Sequence, residues 1–473
     1  MKVLFVIPPL PKIVDKKALG SKWPRIGIAY IAGFLREYGI TVGILDCKTE
    51  KLNIEQAIIK ILAFNPDIIG ITSFTEEIIE TAGLCKAVKK INRNIITIVG
   101  GAHASAIPEQ MLNEFKDIDI AVYGEGEITL LEIVQLKKFD LINVKGIVYR
   151  KNGRIIRNKP RELIKDIDSL PYPAWDLFPL EQYRGRTILS LGEKKHENIL
   201  ELPILSTRGC PYRCNFCFHV YGHTARFRDY KKIVDEIEFN INTYNSTQFF
   251  FADGTFGIRK NNVIKLCNEI IKRKLNKKIK WTAPTRADVV TEETLRLMKK
   301  AGCLTFAIGV ESGDEQILKN SGKNETKEQI RKSVTMAKKV GLPIETSIIL
   351  GHPNETSESI KNSLDFAKEL DIDSHSIPIM IPYPGTKIMQ MAEKGEGNYR
   401  LLSKDWSKYM KQTGGPLELK NISLNQLRMI QARAYLRYYS QFKKIPYIIK
   451  MIPLRKIIII FINLLKNVAS SKK

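Results

Sequence analysis

The chain has 473 residues, with 75 Lys and Arg against 50 Asp and Glu, a formal net charge of +25 and seven Cys. That length allows a large core and about two to four domains of ordinary size. One tight cysteine cluster plus singletons at Cys47, Cys85, Cys267 and Cys303 excludes a secreted disulfide framework and points to the cytosol.

The singletons sit in apolar or helical stretches and read as small core residues, so no second metal cluster is expected. The excess positive charge favours anionic partners such as phosphates, nucleic acid or lipid headgroups, while Lys spread over many helix faces is equally a compositional habit. Met1–Pro9 is a short apolar run broken by prolines, without a small-residue cleavage site, and reads as a strand rather than a signal peptide. Further strands are expected at Val42–Asp46, Asp67–Thr72, Ile95–Val99 and Ile118–Tyr123, separated by helices, giving an open parallel α/β sheet over residues 1–145. Ligands of such sheets bind outside the carboxyl ends of the strands. The loops in question are Pro8–Lys12, Asp46–Thr49, Ser73–Thr75, Gly100–Ser105 and Gly124–Glu127.

Residues 146–199 read as a connecting segment, with a hairpin turning at Asn152-Gly153 and then a packed linker, Leu170-Pro171-Tyr172-Pro173-Ala174-Trp175-Asp176. From 200 to 395, strands near Leu202–Thr207, Gln248–Ala252, Lys280–Pro284, Thr305–Gly309, Ile344–Leu350 and His375–Met380 alternate with helices, which matches a partial (β/α)6 barrel. Active residues of barrels sit on loops at the carboxyl ends of the strands.

The first of these strands runs into Cys210-Pro211-Tyr212-Arg213-Cys214-Asn215-Phe216-Cys217, with Gly209 and Pro211 marking a turn. A closed structural zinc site takes four protein ligands. Three thiolates at this spacing instead fit three corners of an iron–sulfur cube, leaving one iron open to substrate. A zinc knuckle and a disulfide are the competing readings.

Residues 396–473 read as a helical region with Ser423 as an N-cap. Its last part, Tyr447–Lys466, is apolar but interrupted by Lys450, Arg455 and Lys456, against the ~18–20 apolar residues a spanning helix needs. It suits a membrane interface rich in anionic headgroups, or a helix folded over the barrel mouth.

The Cys-x3-Cys-x-Phe-Cys loop after a first strand resembles the radical SAM superfamily. Ile7-Pro8-Pro9, Gly27–Ala32, Gly100-Gly101-Ala102-His103-Ala104-Ser105 and Gly124-Glu125-Gly126-Glu127, in that order, resemble the cobalamin-binding domain of one large radical SAM subgroup. The resemblance implies a Rossmann-like cobalamin-binding sheet, a partial barrel, and a [4Fe-4S] cluster on Cys210, Cys214 and Cys217 whose open iron chelates S-adenosylmethionine. It further implies S-adenosylmethionine contacts at Phe216, Asp253, Arg286, Glu311 and Gly351, with Asp253 taking the ammonium and Gly351 lying against adenine. Arg286 would pair the carboxylate by its fork geometry or form a structural salt bridge with Asp288, and Glu311 has a helix-capping acid as its plain alternative.

The implied cobalamin contacts are Pro9, Ser73, Gly100, Gly101, Gly124, Glu125 and Gly126. One departure matters: Asp46-Cys47-Lys48-Thr49-Glu50 replaces the Asp-x-His-x-x-Gly of free-standing cobalamin domains, so no imidazole is offered to the lower face of cobalt. A scaffold that has lost the cofactor is the alternative. His103, beside paired glycines, reads as part of a backbone-approach loop with a ligand role as its alternative, and His352 as a loop-packing residue with a general acid as its alternative.

The activity implied is reductive cleavage of S-adenosylmethionine to a 5′-deoxyadenosyl radical, followed by cobalamin-dependent methyl transfer to an unactivated carbon. Radical cyclisation or rearrangement without methyl transfer, and a non-catalytic redox sensor, are the alternatives. Expected partners are a small-molecule or lipid-like substrate and an external low-potential electron donor such as flavodoxin or ferredoxin. With no basic–aromatic tract, nucleic acid is not expected. The expected location is the cytoplasm, with the tail as the candidate membrane-surface contact.

Overall fold

Leu4 and Val6 enter one apolar core while Val3, Phe5 and Ile7 enter another, so the first strand is buried on both faces. Such a strand belongs inside a parallel sheet covered by helices. The computed structural model, which describes residues 1–11, 23–137, 139–185, 198–372, 374–410 and 414–439, places it there. Strand β1 (Lys2–Ile7) lies between β2 (Thr41–Asp46) and β3 (Ile68–Thr72), and β4 (Ile96–Gly100) and β5 (Ile120–Val122) continue the parallel sheet. The order β2-β1-β3-β4-β5 reverses direction at β1, which opens a crevice at the strand ends. Helices Ile26–Glu37 and Glu127–Gln135 cover the Val3 and Phe5 face; helices Ile54–Phe64 and Ile78–Ile91 cover the other.

The expected hairpin forms as β6 (Ile147–Lys151) and β7 (Arg154–Arg157), turning on Asn152 and Gly153 with φ of 50° and 77°. Both values are positive, as a tight two-residue turn requires. The hairpin also pairs antiparallel with β5, extending the sheet to seven strands. The segment that follows is packed: Trp175 is fully buried, Ala174 donates its N–H to the Ala29 carbonyl at 2.9 Å, and the Tyr183 hydroxyl donates to the Asp46 carboxylate.

The second sheet is wholly parallel, in the order β8 (Leu200–Ile204), β11 (Ser246–Phe251), β12 (Lys280–Thr285), β13 (Cys303–Glu311), β14 (Ile344–Ile348) and β15 (Ser374–Ser376). A small antiparallel pair, β9 (Thr207–Arg208) and β10 (Arg226–Phe227), brackets the cysteine loop. Side-chain caps from Asp229, Thr291, Thr326 and Thr356 start four of the intervening helices. The core of this barrel is continuous with the Val3 and Phe5 side of the first sheet.

The last strand is shorter than the expected His375–Met380, because Pro378 has no amide hydrogen to give a neighbour. Pairing resumes only at a Leu350–Ile379 bridge. Side chains complete this edge: Tyr435 accepts the Ile377 N–H at 2.9 Å, and Gln431 donates to the Ile377 carbonyl at 2.6 Å. Both belong to helix Leu424–Tyr439, where Ser423 and Gln426 exchange capping hydrogen bonds. The carboxyl-terminal region expected to be helical also contains an antiparallel pair, β16 (Tyr399–Leu401) and β17 (Leu417–Leu419). The apolar tail Tyr447–Lys466 lies outside the described residues. Among those described, no helix is long and apolar enough to cross a membrane.

Candidate active site

The cysteine loop begins with a backbone shape that only glycine holds comfortably. Gly209 has φ of +83°, and a Cβ there would lie 2.3 Å from the Thr224 carbonyl oxygen. Beyond it, Cys210 donates its N–H to the Gly222 carbonyl at 3.2 Å, and Cys217 donates to the Cys214 carbonyl at 3.1 Å. Asn215 anchors the far side, donating its N–H to Ser321 at 2.9 Å and accepting from Ile388 at 3.2 Å. Cys210 is buried, Cys214 half-buried and Cys217 exposed, and all seven cysteines of the chain are unpaired. A hydrogen bond from Cys217, with the Lys323 and Arg286 charges nearby, holds the Cys214 thiol below its usual range.

The strand ends of the barrel surround this loop with polar groups. Asp253, after β11, accepts the N–H groups of Ser206 at 2.8 Å and Thr207 at 3.1 Å together with the Ser206 hydroxyl. Its carboxylate is therefore turned toward the end of β8, and burial raises its pKa to about 6. Arg286, after β12, makes the fork with Asp288 at 2.9 and 2.7 Å and lies 3.6 Å over the Tyr212 ring of the cysteine loop. Its Nη1 is buried and has no partner.

Glu311 ends β13 in the left-handed region, with φ of 63°. Its carboxylate accepts from Lys323 at 3.2 Å and from Ser347 at 3.3 Å. Burial opposes the Lys323 charge, but Glu311 and Glu325 outweigh it and raise the Lys323 pKa. Gly351, after β14, gives its N–H to Glu355 at 2.6 Å, and its carbonyl accepts from Tyr399 at 2.8 Å. The Phe216 ring meets the edge of the fully buried His352, whose pKa burial lowers to about 4.

A cavity of about 610 Å³ lies between the two sheets. Gly100, Gly101, Gly124, Glu125 and Gly126 line it from the first sheet; Pro203, Phe250 and Ala252 line it from the barrel, and Val220 and Tyr221 from just beyond Cys217. Gly101 has φ of +93°, and a Cβ there would strike the Ser73 carbonyl oxygen at 2.8 Å. Ser73 itself is buried behind this wall, and Pro9 is buried and does not line the cavity. Trp23 stacks on Phe250 with centroids 4.3 Å apart, closing one side of the chamber across the joint.

The Radical SAM superfamily profile matches residues 204–367, and the B12 binding domain profile matches residues 14–134. The chain is 33% identical over 444 residues to an uncharacterized methyltransferase of Pyrococcus horikoshii, covering 93% of this chain and 92% of that one. It is 30% identical over 400 residues to the anaerobic magnesium-protoporphyrin IX monomethyl ester cyclase of Rubrivivax gelatinosus, covering 82% and 70% of the two chains. The chain belongs to the cobalamin-binding radical SAM enzymes. Its fold is that of the cobalamin-dependent S-adenosylmethionine radical enzyme OxsB, with a TM-score of 0.72 at 20% identity over 97% of this chain and 70% of that one.

A radical SAM enzyme of this kind uses a [4Fe-4S] cluster, S-adenosylmethionine and cobalamin, and the residues present fit those groups. Among the described residues, no three Cys, His, Asp or Glu side chains converge on one ion-sized position. A cubane does not ask them to, because each thiolate takes its own iron. The orphaned Nη1 of Arg286 is a donor of the kind a carboxylate needs. The glycine-rich wall of the cavity lets a large ligand approach the backbone.

Asp46, where the cobalamin domains that carry an axial His begin their motif, accepts the Thr49 N–H at 2.9 Å and the Tyr183 hydroxyl. His103 is buried against Thr75 and Trp406, away from the cavity wall, and burial lowers its pKa to about 4.

The sequence reading passed over four charged residues of this region: Arg208, Arg226, Lys323 and Glu325. Arg208 donates to Glu125 at 3.1 Å and to Glu127 at 2.7 Å, and Arg226 donates to Glu125 at 2.9 Å. Lys323 bridges Glu311 and Glu325 at 3.2 and 2.9 Å. The one signal in the sequence was an arginine directly before Gly209-Cys210, following the strand expected at Leu202–Thr207.

Proposed function

We propose that this enzyme transfers a methyl group to an unactivated carbon of a small-molecule or lipid-like substrate. The observation that carries this reading is the shared cavity, walled by the glycine loops of the first sheet, the barrel, and residues adjoining the cysteine loop. The cavity sets the glycine wall of the first sheet beside Val220 and Tyr221, three and four residues beyond Cys217. The name methyltransferase on the relative from Pyrococcus horikoshii supports the same reading.

When bound, the three cofactors supply reductive cleavage of S-adenosylmethionine to a 5′-deoxyadenosyl radical and a transferable methyl group. The chain's own part is to hold and to exclude. Cys210, Cys214 and Cys217 hold the cluster; Arg286 takes a carboxylate through Nη1; Glu311, Phe216 and Gly351 shape the nucleoside end. Asp253, bonded to Ser206 and Thr207, fixes the chain that leads from β8 into the cysteine loop. The electron for that cleavage comes from an external low-potential donor. The apolar side chains of the cavity, among them Phe5, Ile98, Leu130 and Phe250, keep water from a reactive radical.

Radical cyclisation is the second reading, favoured by the cyclase relative at 30% identity. The two separate by coproducts. Protein reconstituted anaerobically with iron, sulfide and cobalamin, then reduced with labelled S-adenosylmethionine and substrate candidates, should form S-adenosylhomocysteine together with 5′-deoxyadenosine. Product carrying no labelled methyl, with 5′-deoxyadenosine alone, rejects methyl transfer in favour of cyclisation. Sedimentation with anionic liposomes, comparing the full chain with one ending before Ile445, tests the lipid-surface role of the tail. Equal behaviour removes it.

A further inference from the structure

Four buried charges join the Gly124–Glu127 loop to the strand that enters the cysteine loop. Arg208 is the residue before Gly209-Cys210, and its side chain has no exposed surface. It reaches Glu125 at 3.1 Å and Glu127 at 2.7 Å, while Arg226, its antiparallel partner in β10, takes Glu125 at 2.9 Å. The rings of Tyr30 and Tyr221 stand 5.0 and 5.1 Å from the Arg208 guanidinium. Glu125, Glu127 and Tyr221 also line the cavity.

We infer that Arg208 is a positioning residue that couples occupancy of the cavity by cobalamin to the geometry of the cysteine loop; this rests on the functional reading above. Ligand pressing on the Gly124–Glu127 loop moves two carboxylates. Those carboxylates hold a guanidinium that cannot swing into water without leaving Glu127 unpaired in the interior, since Arg226 stays on Glu125. Next in the chain, Gly209 is pinned under Thr224, so a shift of Arg208 passes to Cys210 rather than dissipating in a flexible turn. The coupling is reciprocal by thermodynamic necessity: the S-adenosylmethionine-bound cluster must alter cobalamin affinity by the factor with which cobalamin alters S-adenosylmethionine affinity.

The test uses the full chain with its cluster, measuring the electron paramagnetic resonance of the reduced cluster during S-adenosylmethionine titration, with and without cobalamin. In the wild type, cobalamin should shift the apparent S-adenosylmethionine affinity by about fivefold or more. Glu127→Gln, which keeps an acceptor but removes the charge, should reduce that shift to below about twofold while both ligands still bind. Glu236→Gln is the control for mere destabilisation, because Glu236 pairs with Arg228 at 2.5 Å inside the barrel and does not line the cavity. It should leave the shift intact. If Glu127→Gln does not fold, Arg208→Lys retains the charge without the two-pronged geometry and is read the same way.

The inference is overturned if the wild type binds both ligands with no mutual effect, or if the position-127 and position-236 variants respond alike. A wild-type protein that takes up neither cluster nor cobalamin defeats the functional reading instead.

Discussion

Arg208 donates to Glu127 at 2.7 Å across the joint between the two sheets, and both side chains are buried. The pair is separated by 81 residues in sequence. It therefore bears on how the two halves of the molecule stay together as well as on the chemistry between them.

Replacing Arg208 with Met leaves Glu127 without its cation in the interior. Breaking a buried pair from one side costs about 3–5 kcal/mol, so the midpoint of urea unfolding should drop markedly. Asp176→Asn removes the exposed pair with Arg36, whose members are 45% and 40% accessible, and should change stability by no more than about 1 kcal/mol. Equal effects would mean that the buried pair is not what secures the joint.

Gly209→Ala should abolish cluster assembly while leaving the first sheet folded. Its Cβ would overlap the Thr224 carbonyl oxygen, and the backbone cannot leave φ of +83° without moving Cys210. Iron content after anaerobic reconstitution is the readout, with cobalamin uptake as the check on the first sheet. Iron at the wild-type level would refute the claim.

Arg286→Lys retains a positive charge but loses the planar fork that spans Asp288 and leaves Nη1 free. S-adenosylmethionine affinity should fall by about tenfold or more, the loss of one charge-assisted hydrogen bond, while iron content is unchanged. Unaltered affinity would assign Arg286 to the salt bridge alone.

Glu355 is buried, and burial raises its pKa from 4.5 to about 8 against the opposing pull of the Gly351 and His352 N–H groups. The folded state therefore binds this proton more tightly than the unfolded chain does. Stability tied to the protonated carboxyl is full below pH 4.5 and is lost as the pH rises toward 8. Glu355→Gln keeps an acceptor for both amides and has no charge to bury. It should match the wild type at pH 4.5 and exceed it at pH 8 by on the order of 4 kcal/mol. A constant difference across that range would exclude the linkage.

The strands were legible because their apolar runs are short, regularly spaced and bounded by glycine or proline, and the cysteine loop was legible because its chemistry is local. Docking of the hairpin onto β5 was not, since an Asn-Gly turn specifies a hairpin and says nothing of its neighbour. The Asp253 carboxylate reaches back 46–47 residues to Thr207 and Ser206, a partnership invisible in a linear reading that saw only an acid after a strand. The Arg208 pairs were hidden for the same reason: local pattern reports which residues will be buried, but not which buried charges will meet.

The main-chain groups of Ile377 find their partners in Tyr435 and Gln431, 58 and 54 residues further along. During synthesis the sixth barrel strand therefore emerges well before the helix that finishes its rim, and for that interval it presents an unmated β edge of the kind that seeds aggregation. A nascent chain stopped short of Gln431 would carry every cluster ligand and still lack the seam that makes it safe to release.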